Sequence, residues 1–175
     1  MAHYDLELDK ELPIDLGVLV ATWKDGSREW RTSFDDVAPE ALTWSPYPNG
    51  PNIGGAILHM ASCDQYWIMQ IAEGIEVPAD DRAWAYDCTM DQYVPHWPTP
   101  PARPLEWYLD LLDSTRDRMV DLIKAHLDSN SIHPRGQNTM TYRWIIAHAV
   151  QHDSYHGGQI VLLNELYKKS ADRAD

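Results

Sequence analysis

Apolar residues recur every three or four positions in four long stretches of the chain, the spacing of helices with one buried face. The first runs from about Pro13 to Phe34, where Leu16, Leu19, Val20, Trp23 and Trp30 keep the period and Gly26 weakens the middle. The prolines of "DDVAPEALTWSPYPNGP" then forbid a continuous helix. The second stretch, "NIGGAILHMASCDQYWIMQIAEG", opens near Pro51 or Asn52 and stops at Gly74, with Ile53, Ala56, Ile57, Met60, Trp67 and Ile71 as its stripe. The third starts at Pro104, suited to a first helical turn, and carries Leu105, Tyr108, Leu112, Thr115, Met119, Leu122 and His126. "SNSIHPRGQN" ends it, and the fourth runs from about Thr141 to Lys168.

Between the second and third lies a connection from about Ile75 to Arg103, rich in Pro, Trp, Tyr and Asp, with room for a short helix near Thr89–Val94. A link of that length inside a compact domain predicts a crossover, not a tight turn. With no strand-like alternation elsewhere, the pattern predicts an all-α four-helix bundle, and 175 residues fit one domain spanning 1–175.

One feature conflicts with a purely apolar core. On the fourth helix the inward line reads Ile145, Ala149, His152, His156, Ile160, Leu163, Tyr167. Two histidines four apart sit one above the other, about 6 Å along the axis, and can converge on one ion. His148, a turn earlier, lies at the margin, so the pair is His152 with His156 or with His148. His156 is preferred because the two then bracket the centre of the stripe. A third ligand must come from another helix, and His59 beside Ala56, Met60 and Cys63 fits best. Burying imidazoles without polar partners is costly, which favours ligation over simple burial. Gly54, Gly55, Gly157 and Gly158 flank these histidines, and interior glycines there predict a close approach by a backbone or a ligand. Asp153 stands about 100° round the helix from His152 and is expected to face solvent or a neighbouring helix. Gln159 lies nearer the stripe, placed to orient a ligand or tie helices. His3, His96, His126 and His133 read as surface or margin residues, with His96 able to overhang the site.

Composition narrows the partners. A net charge of −13 excludes a nucleic-acid surface and disfavours anionic lipid. No window approaches the roughly 18 apolar residues of a membrane span, and the acidic start is unlike a signal peptide. Cys63 and Cys88 form no CxxC pair, so the expectation is a reducing, cytoplasmic setting with two thiols. Eight Trp and nine Tyr against one Phe indicate walls built of rings with polar tips, and Trp84, Tyr86, Tyr93 and Trp97 of the long connection are placed to form a lid.

The stretches "NIGGAILHMASCDQYW" and "HAVQHDSYHGGQIVLLNEL" resemble the DinB-like superfamily, whose last helix carries a motif of the form HxxxHxx[HY]HxGQI and whose relatives include the YfiT-like thiol transferases. "VAPEALTWSPYPN" and "YLDLLDSTRDRM" extend the resemblance over nearly the whole chain. It implies a four-helix bundle holding one divalent ion, usually zinc or nickel, on three histidines that fall at His59, His152 and His156. It also implies a homodimer. Tyr155 stands where many members carry another histidine, and Gly157 where many carry arginine, which changes the expected pocket but not the ligands. The implied activity is transfer of a low-molecular-weight thiol to a small electrophilic substrate. A metal-dependent hydrolase and a non-catalytic metal-binding stress protein are the alternatives, the last requiring a fourth protein ligand from Cys63, His148 or His96. No general base is assigned.

Overall fold

The computed structural model describes residues 3–34, 37–82 and 97–172. Helix α1 spans Ile14–Thr32 and begins directly after Pro13, which lacks the N–H that a first turn leaves unpaired anyway. A short 3-10 turn at Pro39–Leu42 precedes α2, Ile53–Asp64. The Asn52 side chain caps α2 by accepting from the Gly55 N–H at 2.7 Å. All twelve residues of α2 are buried, so it is a central helix and not the half-solvated one its stripe predicts.

From Gln65 to Ala72 the same helix continues in π geometry. The wider turn absorbs an extra residue, so the face shifts: Ile68 is fully buried, whereas Trp67 and Ile71 of the expected stripe are only half-buried. Gly74 then takes a φ of +65°, and the Ile75 N–H closes back on the Met69 carbonyl at 2.9 Å, a glycine stop as expected. A single turn, α3, follows at Ala79–Arg82. The expected helix near Thr89–Val94, together with Trp84, Tyr86, Tyr93, Cys88 and His96, lies outside the described residues.

Helix α4 spans Leu105–Ala125, and α5 spans Tyr142–Ala171, capped by Thr141 and ending with Lys168 and Lys169 at its negative pole. Between them the chain forms a hairpin absent from the sequence expectation: β1, Ile132–Arg135, pairs antiparallel with β2, Asn138–Thr141. Gly136, at φ +60°, supplies the left-handed residue that a two-residue turn demands. The strands are four residues each, too short for periodicity to reveal.

The fold is all-α apart from that hairpin. Helices α2 and α4 run parallel: Tyr108 packs on Gly54 near their starts, and His126 meets Glu73 near their ends. The connection from 75 to 103 is therefore a crossover. Helices α1 and α5 are also parallel, with Ser27 bonded to Asp153 and Trp30 packed on Gly157. Helix α5 also packs on α2, running against it.

One guanidinium joins all four long helices. Arg116 of α4 donates to Asp64 of α2 at 3.1 Å, to Asp153 of α5 at 2.5 Å and to Ser27 of α1. It also lies over the Trp23 ring. Two carboxylates share one cation here, and burial, with Asp153 adding to it against the pull of Arg116, pushes Asp64 up to about 7.

Candidate metal centre

Helices α2 and α5 face each other in the middle of the bundle, and their histidines meet there. His59 and His156 are each 3 % exposed, while His152 is half-buried and marks the side nearest solvent. His152 Nε2 lies 3.1 Å from His59 Nε2 and 3.1 Å from His156 Nε2. The ring centroids of the trio are 4.3 to 4.9 Å apart. Of His148 and His156, the two partners the sequence offers His152, His156 is the one whose Nε2 stands 3.1 Å from the Nε2 of His152. His148 instead stacks on Trp144 at 5.0 Å and stands edge-on to Trp67, its centroid 6.2 Å from that of His152.

Neutral imidazoles alone satisfy this cluster poorly. A ring nitrogen has one proton or one lone pair, so His152 Nε2 can complete only one of its two contacts as a hydrogen bond. Gln159 Oε1 accepts from His156 Nδ1 at 2.7 Å, which leaves His156 Nε2 as a bare lone pair. Among the described residues, buried His152 Nδ1 has no hydrogen-bond partner. Protonation offers no relief. Burial, with the neighbouring His156, holds His59 down to about 3. Burial and the surrounding His156, His59, His148 and Arg116 hold His152 to about 2. His156 is lowered by burial, with Gln159 and Asp153 opposing. The rings are thus held toward the neutral form, the form a metal requires. Two nitrogens sharing an ion at bonds of about 2.0–2.1 Å stand roughly 2.9–3.4 Å apart between octahedral and tetrahedral angles, so contacts of 3.1 Å fit.

Among the described residues, His59, Cys63 and His152 form a group that could hold a metal ion, their donor atoms all within 4.8 Å of one another; His156 lies outside that group and adjoins it through His152 Nε2 at 3.1 Å. Cys63 is one turn after His59, with Sγ 3.7 Å from His59 Nε2.

Trp97 closes the site from the end of the long connection. Its indole stands edge-on to His59 at 6.1 Å, the residue is 9 % exposed, the Trp97 backbone N–H donates to the Asn49 carbonyl at 2.9 Å, and the Asn52 side chain donates to the Pro98 carbonyl at 3.1 Å. Of the aromatic lid expected from the sequence, Trp97 is the member among the described residues. Gly54, Gly55 and Gly157 are explained by neighbouring side chains. A Cβ at Gly54 would meet Tyr108, at Gly55 Asn52 and Trp97, and at Gly157 Trp30; at Gly158 it would meet nothing.

Asp153 faces helices and not solvent. It is 1 % exposed and accepts from Ser27, Trp30 and Arg116. Sequence reasoning missed Arg116 and Asp64 altogether; a charged residue immediately after the inward Thr115 and another after Cys63 were the available signals. It also underrated His126 and His133, placed at the margin. His133 is buried, both accept or donate at the Ser131 hydroxyl (2.7 and 2.8 Å), and His126 Nδ1 is 3.2 Å from Glu73, fastening the hairpin to the ends of α2 and α4.

No helix among the described residues is long and apolar enough to cross a membrane. A family model, that of the DinB superfamily, matches residues 23–160, a span from within α1 into α5 that includes all three converging histidines. No curated protein matches the chain.

Proposed function

The chain belongs to the DinB superfamily, and from that premise we propose that His59, His152 and His156 together hold one divalent metal ion and that the protein is a metal-dependent enzyme. The observation that carries this is the contact of His152 Nε2 with two other imidazole nitrogens, at 3.1 Å each, in a buried site that disfavours the imidazolium form. Three neutral imidazoles leave the ion its full charge, and such an ion supplies a position at which a bound thiol or water loses its proton near neutral pH.

The reaction proposed is transfer of a low-molecular-weight thiol to a small electrophile, as the resemblance to the thiol-transferase relatives implies. The protein's own side chains do the positioning. Gln159 fixes the tautomer and tilt of His156, the support that ligating histidines characteristically need. Trp97 and the buried wall of α2 keep water from His59. The half-buried edge of His152 is where a small molecule enters. Asp153 is committed to Arg116 and Ser27, so it is not placed to act as a base; an ion held here would lower the pKa of a thiol, whose proton would pass to solvent. Zinc and nickel both accept three imidazoles.

The test is turnover by zinc- and nickel-loaded protein with cysteine, glutathione or coenzyme A as the thiol and an alkyl halide or epoxide as acceptor. Metal-dependent thioether formation that His152→Ala abolishes supports the assignment. Rates no greater than those of free metal in buffer, for every pair, would refute the transferase activity.

A further inference from the structure

Helix α2 presents its donors just as α5 does. His59 and Cys63 are four residues apart, as are His152 and His156, so each helix offers two potential ligands one turn apart. Cys63 is 5 % exposed, and its Sγ is 3.7 Å from His59 Nε2. A sulfur and a nitrogen sharing a tetrahedral ion, with bonds of about 2.3 and 2.05 Å, stand roughly 3.6 Å apart. The Cys63 sulfur also lies within 4.8 Å of the His152 donor. That Sγ is also 3.8 Å from His59 Nδ1, so it would turn from its present place to reach the point where the imidazoles converge.

We infer that Cys63 is the fourth ligand of the ion in the resting protein, giving a shell of three nitrogens and one sulfur. The inference rests on the three-histidine site proposed above and adds how that site is regulated. With four protein ligands the ion has no position for a substrate until one ligand leaves. His156 is pinned by Gln159, and His59 is enclosed by Trp97 and the α2 wall. Cys63 has the shortest side chain of the four, so it would be the ligand to give way to a substrate thiol, the departing thiolate taking up the proton that the incoming thiol releases.

Metal-free full-length protein and its Cys63→Ser and Cys88→Ser variants are loaded with cobalt(II), and bound cobalt is counted per chain alongside the near-ultraviolet spectrum. The expected result is about one cobalt per chain in all three, with a sulfur-to-cobalt charge-transfer band in the wild type and Cys88→Ser and none in Cys63→Ser. Bound cobalt without that band in the wild type, or a band that survives Cys63→Ser, overturns the inference and leaves the three-histidine site standing. Failure of the wild type to bind cobalt overturns both. X-ray absorption at the zinc edge of the unmodified zinc-loaded protein needs no variant: it should show one sulfur near 2.3 Å beside nitrogens near 2.0 Å, and a shell of nitrogen and oxygen alone overturns the inference.

Discussion

Alanine at Gly157 would place a Cβ 2.3 Å from Trp30 Cδ1, 2.5 Å from Cγ and 2.9 Å from the Trp30 Cβ. Carbon atoms in ordinary contact keep about 3.5–4.0 Å, so an overlap of more than 1 Å must be relieved. Rotation of the indole cannot relieve all of it, because the Trp30 Cβ is fixed by the α1 backbone. Either α1 retreats from α5 or Trp30 leaves its buried seat beside Asp153, which it bonds at 3.4 Å. Overpacking of this kind costs about 1–3 kcal/mol. The neighbouring residue provides an internal control, since a Cβ at Gly158 meets nothing within 4 Å. Both substitutions replace glycine inside a helix and gain about 1 kcal/mol of helix propensity. Gly158→Ala should therefore stabilise the protein by about that amount, and Gly157→Ala should lie below it by the overpacking cost alone, about 1–3 kcal/mol and toward the upper end. Urea unfolding followed by circular dichroism reads the difference directly. In thermal unfolding each kcal/mol corresponds to roughly 2–4 °C for a chain of this size. Equal shifts in the two variants would refute the close approach of α1 and α5 at this point.

Three further outcomes follow from the buried polar groups. Arg116→Met leaves Asp64 and Asp153 buried without their cation and should cost about 3–5 kcal/mol in urea unfolding; a loss under 1 kcal/mol would mean that the guanidinium is not the tie between helices. Gln159→Leu removes the acceptor from His156 and should weaken zinc binding about 10–100-fold in chelator competition while leaving the helical spectrum intact; unchanged affinity would show that His156 needs no such support. The metal-free protein should lose stability in acid, because His59 and His152, depressed to about 3 and 2, stay neutral in the native state while the unfolded chain takes up protons below about pH 6.5. Their contribution is present above that pH and is lost as pH falls toward the folded values. Asp64, raised to about 7, opposes them, since its buried charge is relieved on protonation. Two protons on one side against one on the other leave a slope of at least about 1.4 kcal/mol per pH unit near pH 5, with lowered His156 adding to it. A flat pH profile between 6 and 5 would contradict the neutral cluster.

Much of this site was legible because helical periodicity converts spacing into direction. His152 and His156 fall on a line of apolar residues that α5 does bury, and Asn52, Gly74 and Thr141 mark helix ends by local chemistry that a single sequence displays. The π segment was not legible: its one-residue shift moves burial from Trp67 to Ile68, and nothing in the local composition distinguishes a widened turn from a regular one. The hairpin escaped for want of length, although Gly136 between Arg135 and Gln137 held the turn signal. Arg116, Asp64 and Asp153 look individually like surface charges. Their burial depends on three helices supplying complementary groups at one height, which spacing along one helix cannot reveal.

The central claim is that imidazoles of α2 and α5 share one cation, and elemental analysis of untagged protein tests it most directly. Wild-type protein should carry close to one divalent metal ion per chain after dialysis, and His152→Ala, which removes the nitrogen touching both others, should carry almost none while retaining its helical spectrum. Stoichiometric metal retained by the folded variant would contradict the account.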